Sequence, residues 1–280
     1  MRKGRFAALA AVALWAILAA VPASAGPKDI AIHVTRLGGD SASAQPFVDR
    51  FLRYIEGKTG WTTGSTKGSF LVNRKEATAF VTGTKPGIGM MDPPLYFEMR
   101  KTWNLQPILQ VESAELVSPR MHVVVKDPAI RTLSDLAGKR LWTLLADYPA
   151  YLSKVVLDGQ VDASSHFVLK QVGQALRGAK AVLRGDCEAT ILDDEQLAKA
   201  KEITGGQDLR AIYSSPALPA IPVVLFGTDL PPADRDALVK ALKPMCGTPD
   251  GGAVCREMHI GRFVPVDAAT FDAALGRFGN

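Results

Sequence analysis

Four histidines and three cysteines in 280 residues leave little material for metal chemistry. His33, His122, His166 and His259 are scattered, and none stands in an H-E-x-x-H or comparable spacing. Aromatic residues make up 7% of the chain and never interleave with a Lys/Arg cluster, so the usual footprint of nucleic-acid binding is missing. Past residue 21 no apolar run approaches the roughly 18 residues that suggest a membrane span. A nucleophile elbow and triad spacing are also absent. Gly83, Gly87 and Gly89 are spread across a loop with Lys85 and Pro86, which fails as a nucleotide-binding fingerprint. The formal charge of +5 includes Arg2, Lys3 and Arg5; without them 30 basic residues face 28 acidic ones, a net of +2.

Those three cations open the N-terminus and precede 16 apolar residues, Phe6–Val21, and the small-residue triplet Ala23-Ser24-Ala25. This is the pattern of a signal peptide, too short and wrongly flanked for a spanning helix. Cleavage is expected after Ala25. About 255 residues then remain, enough for two lobes and a core that buries roughly 70–75% of the unfolded surface. Export to an oxidising compartment permits disulfides. Cys246 and Cys255 flank Gly247–Gly252, read as a flexible turn that brings them together, so they are expected to pair. A metal reading would need more ligands than the nearby His259. Cys187, inside an apolar strand-like run, is expected to be a buried free thiol.

Beyond the leader, strand-like and helix-like segments alternate, which argues for parallel sheets flanked by helices. Asp29–Thr35, Ile88–Met91, Leu105–Val111 and Met121–Val125 read as strands. Pro46–Lys58 carries apolar residues at helical spacing (Phe47, Val48, Phe51, Leu52, Ile55), and Asn73–Thr82 reads as a further helix. Thr132-Leu133-Ser134-Asp135-Leu136-Ala137-Gly138-Lys139-Arg140 reads as a short helix capped by Thr132 and ended by a left-handed Gly138. Asp193-Asp194-Glu195 could be taken for an acid/base cluster, but three acids at a strand end more often open a helix, where they suit its dipole.

Four segments carry a family resemblance: Thr132–Arg140; Ala181–Ala189, reading AVLRGDCEA; Ser215–Pro222; and Asp229–Leu242. Together they resemble the periplasmic substrate-binding proteins of ABC importers, in the phosphate/phosphite/phosphonate branch. The resemblance spans roughly residues 80–245.

What it implies is an α/β, two-lobed periplasmic-binding-protein fold, each lobe a small, mostly parallel sheet flanked by helices. Residues 1–25 would be the signal peptide, 26–120 plus 219–280 lobe one, and 121–218 lobe two. Hinges would lie at Ser118–His122 and Ser215–Pro222. The protein would be a periplasmic, non-enzymatic monomer without cofactor. It would take up a small-molecule ligand and present it to a membrane permease of an ABC importer, or to a membrane sensor.

Ligands in such folds sit beyond the carboxyl ends of strands. The candidates for ligand binding are accordingly Met91, Asp92, Tyr96, Asp147, Tyr148, Tyr151, Gln174, Glu195 and Ile221. The family's contacts look altered at several of them. Met91 stands where the family often has an aromatic, Ala146–Tyr151 replaces a Ser/Thr-rich loop, Gln174-Ala175 replaces a Ser-His pair, and Ile221 stands at an acid's position. Glu195 keeps an acid, and Phe70 falls near the lobe-one aromatic. A buried phosphonate needs several charge-assisted hydrogen bonds to offset its desolvation. Losing those hydroxyls points to a diverged pocket for a less anionic, or even apolar or lipid-like, ligand. A misaligned loop with hydroxyls from Ser41, Ser43 or Thr143 is the competing interpretation.

Overall fold

The computed structural model describes residues 28–34, 41–113, 119–227 and 229–279. The segment expected to be a signal peptide, most of the Leu37–Ser43 loop and Ser118 lie outside them.

The chain begins β1 (Ile30–His33), α1 (Ser41–Thr59), β2 (Gly68–Phe70), α2 (Arg74–Thr84), β3 (Ile88–Met91), α3 (Pro93–Met99) and β4 (Leu105–Glu112). A first crossing leads to β5 (Met121–Val125), β6 (Arg140–Thr143), α4 (Pro149–Tyr151), α5 (Ala163–His166), β7 (Val168–Gln171), α6 (Ala175–Arg184), β8 (Ala189–Asp193), α7 (Asp194–Glu202) and β9 (Arg210–Ser214). The second crossing returns to β10 (Ile221–Phe226), α8 (Pro232–Leu242), α9 (Pro249–Glu257), β11 (Arg262–Val264) and α10 (Ala268–Phe278).

Two sheets result, ordered β11-β4-β10-β3-β1-β2 and β7-β6-β8-β5-β9. Both are mixed rather than mostly parallel. β1 runs parallel to β2 and β3, whereas β10 runs antiparallel to β3 and β4. In the second sheet β6 is parallel to β7 and β8, and β5 is antiparallel to β8 and β9. The reason is topological. A strand arriving from the other lobe enters at the end where the resident strands finish, so it must run against them.

Local differences from the sequence reading have identifiable causes. Helix α2 continues past Gly83 and ends at Lys85, which adopts φ 51° and donates its N–H to Val81 O. Around Thr132 the cap is reversed. The Asp135 carboxylate accepts the backbone N–H groups of Arg131 and Thr132, and only Ser134–Leu136 forms a helical turn, before Gly138 at φ 70°. Ile221 and Pro222 already belong to β10. Pairing with β3 starts only at Val223, so the donor missing at Pro222 faces no β3 partner.

Cys246 and Cys255 form the expected disulfide, with Cα atoms 5.4 Å apart, and Cys187 is free and buried. The intervening glycines are not a loose turn. Gly247 ends a separate helical turn, Gly251 and Gly252 lie in the first turn of α9, and a Cβ added at Gly251 would sit 2.3 Å from Met245 O, so close packing requires glycine there.

The two crossings are stitched together: Ser215 N donates to Met121 O (2.8 Å), Met121 N to Ser215 Oγ (3.0 Å) and Leu218 N to Pro119 O (3.0 Å). The lobes also share one hydrophobic core. Phe97 of α3 meets Tyr151 of α4 and both Phe271 and Phe278 of α10, at ring-centroid distances of 5.5, 6.4 and 5.7 Å. Helix α10 straps the halves. Asp267 N donates to Gln110 Oε1 on the β4 side, while Lys154 Nζ donates to Phe278 O and Arg277 pairs with Asp158 on the other.

Candidate functional site: the cleft between the lobes

Where strands of both sheets end, the next helices begin, and their first residues face each other across a cleft of about 630 Å³. Strand β3 delivers Asp92, Pro93 and Pro94. From the second sheet come Thr143 at the end of β6, Gln174 and Ala175 at the start of α6, and Asp193, Glu195 and Lys199 from β8 and α7. Leu218–Ile221 of the second crossing closes the back.

Local sequence explains the acids. Asp193 caps α7 by accepting the Gln196 N–H at 2.8 Å, and Gln196 Oε1 accepts the Asp193 N–H in return. Asp194 accepts from Arg120 N and bonds His122. Burial pushes the Asp194 carboxyl up, but the His122 and Arg120 hydrogen bonds outweigh it and leave it below its ordinary value. Glu195 pairs with Lys199 one turn on. The triplet is thus a helix start, and among the described residues no group of His, Cys, Asp or Glu is placed to hold a metal ion.

Five of the nine candidates line the cleft: Asp92, Tyr151, Gln174, Glu195 and Ile221. The other four do not. Met91 and Tyr96 turn into the shared core. Asp147 lies on the outer surface beside Arg74, in a separate shallow groove. Tyr148 is buried under Arg74, whose guanidinium sits 5.7 Å from the ring centroid. Phe70 is also buried in the lobe-one core.

Tyr148 bridges the lobes. His33 Nδ1 is 2.7 Å from Leu71 O, and a carbonyl only accepts, so Nδ1 carries the proton. In the neutral imidazole Nε2 then accepts from the Tyr148 hydroxyl at 3.0 Å. Burial first, then the charge of Asp92, pushes the phenols of Tyr148 and Tyr151 well above the ordinary tyrosine value, so both remain protonated donors. Helices α3 and α4 meet side chain to side chain through Phe97 and Tyr151. Pro93, Pro94 and Pro149 carry no N–H, so these two helix starts present fewer amide donors than other residues there would.

Residues 52–271 match the family described as the phosphonate ABC transporter, periplasmic substrate-binding protein. The chain belongs to that family. Three solved structures share the fold. A Xanthomonas citri protein bound to ATP superposes with TM-score 0.72 at 15% identity, covering 91% of this chain and 96% of that one. A binding-protein component of an ABC phosphonate transporter from Pseudomonas aeruginosa gives 0.64 at 15% identity, covering 88% and 83%. PhnD1 from Prochlorococcus marinus in complex with methylphosphonate gives 0.62 at 10% identity, covering 90% and 97%. No curated protein matches significantly in sequence. Proteins of this phosphonate-transporter family are periplasmic and hand a small ligand to an ABC permease. Among the described residues no helix is long and apolar enough to cross a membrane.

For a phosphonate-family binding protein, the sequence reading missed one wall of the cleft. Cys255, Arg256, Met258, His259 and Ile260 line it from the corner between α9 and β11. They do not follow a strand in the chain, so a search of strand-end loops passes over them. The signal available was the cysteine pair, which fixes that corner covalently.

Proposed function

We propose that this chain, exported by cleavage after Ala25, works as a monomeric periplasmic carrier that delivers a small, largely apolar ligand to an ABC permease. Its lobes would be residues 26–120 with 219–280, and 121–218. The observation that carries the reading is the composition of the cleft. About 630 Å³ is walled by Val111, Met121, Ile191, Leu218, Ile221 and Met258. Prolines occupy the first turns of α3 and α4, and Tyr148, in the segment that replaces the Ser/Thr-rich loop, commits its hydroxyl to His33 outside the cleft. A chamber of this size and polarity suits a small organic molecule.

PhnD1 holds methylphosphonate, and the Xanthomonas citri protein was solved with ATP. In this chain phosphate, phosphite and methylphosphonate are expected to bind weakly. Each missing charge-assisted hydrogen bond costs roughly 1.5–3 kcal/mol, so losing two weakens binding on the order of a hundredfold or more. Titration calorimetry with these three anions tests the reading, and submicromolar binding of any one would overturn it.

A further inference from the structure

We infer that the ligand is an amphipathic monoanion, with a carboxylate-type head at Arg256 and His259 and an apolar body along the cleft. This rests on the apolar-cleft reading above.

The argument turns on which polar groups of the cleft are already engaged. Asp193 is engaged with Gln196, Glu195 with Lys199, and Thr143 Oγ1 accepts the Leu145 N–H. Among the described residues the side chains of Arg256, His259 and Gln174 make no hydrogen bond or ion pair, yet all three line the cleft. What the chamber has to spare is therefore mainly donor capacity, with one permanent positive charge.

The corner that carries this charge is built firmly. The disulfide anchors Cys255, and Ile260 N returns to Cys255 O at 2.8 Å. His259 N donates to Arg256 O, with His259 held at φ 51°. Met258 and Ile260 flank the two basic side chains within the same wall, so apolar surface adjoins the charge directly.

Charge also sets the orientation. Asp92, Asp193 and Glu195 stand at the strand-end side, and they repel an anionic head away from the helix starts. One guanidinium matches one carboxylate in a bidentate fork. A dianionic phosphonate would leave a second charge without a partner.

The test is calorimetric titration of the full chain with decanoate, decylammonium and methylphosphonate, alongside fluorescence titration with the neutral probe N-phenyl-1-naphthylamine. Decanoate should bind more tightly than decylammonium. Arg256→Gln should weaken decanoate roughly ten- to hundredfold and leave the neutral probe unchanged. His259→Gln should weaken decanoate less. If the neutral probe binds but decanoate gains nothing over decylammonium, or Arg256→Gln leaves decanoate untouched, this inference fails and the apolar-cleft reading survives. If methylphosphonate binds at submicromolar concentration, or no apolar probe binds, both fall.

Discussion

His33 and Tyr148 meet from opposite lobes, imidazole Nε2 to phenol oxygen 3.0 Å, with neither side chain more than 3% exposed. Tyr148→Phe keeps the ring and removes the donor, leaving a buried acceptor unsatisfied. Stability to urea should fall by about 1–3 kcal/mol. Combined with His33→Ala the losses should be less than additive, because each removes the same bond. Strict additivity would mean that the two residues do not couple.

Phe97 is fully buried and touches rings from α4 and α10. Phe97→Ala should cost about 3–5 kcal/mol. Since the core is common to both lobes, scanning calorimetry should give a single transition that moves down as a whole. Two resolved transitions in the unmodified protein would contradict a shared core.

The Cys246–Cys255 bridge closes a short loop, with a sequence separation of 9. Replacing both cysteines by serine should remove about 2–3 kcal/mol in the chain-entropy account. Cys187 is 2% exposed, and burial pushes its thiol up to about 11. In the native protein at pH 8 it should resist alkylation for hours, while a non-reducing peptide map shows one disulfide. Rapid native labelling of Cys187 would overturn this.

Asp194 links the first crossing to α7 through Arg120 and His122. Its carboxyl is depressed in the folded state, so its contribution is fully present above the ordinary carboxylate value near pH 4 and is lost as pH falls through the lower folded value. Asp194→Asn should flatten the acid limb of the stability curve below pH 4 and lower the plateau at neutral pH. An unchanged acid limb would remove Asp194 from the account.

How far the sequence was readable follows from the range of the signals. Ile88–Met91 and Met121–Val125 were legible to the residue, because dense apolar runs bounded by Gly, Pro or charge leave no other assignment. The Pro222 boundary was misplaced because Pro usually marks a strand's edge, and only the neighbouring ladders show that this position has a free flank. At the site, Gln174, Glu195 and Ile221 were found from strand ends. Tyr96 and Met91 pass the same rule yet turn inward, since the partners that draw them into the core, Phe271 above all, lie far along the chain. Arg256 and His259 were invisible to any local rule.

Helix α10 has a bearing on how the molecule is made. Phe271 and Phe278 complete a core begun by Phe97 and Tyr151, and the strap follows all of these other elements in chain order. The strands of the second sheet all come from residues 121–214 and can assemble as soon as that stretch is available, whereas the first sheet waits for β10 and β11. Until residues 268–278 arrive, the core between the two halves lacks Phe271 and Phe278. A chain truncated before Ala268 should therefore expose aromatic surface at Phe97 that a chain carrying residues 268–278 hides.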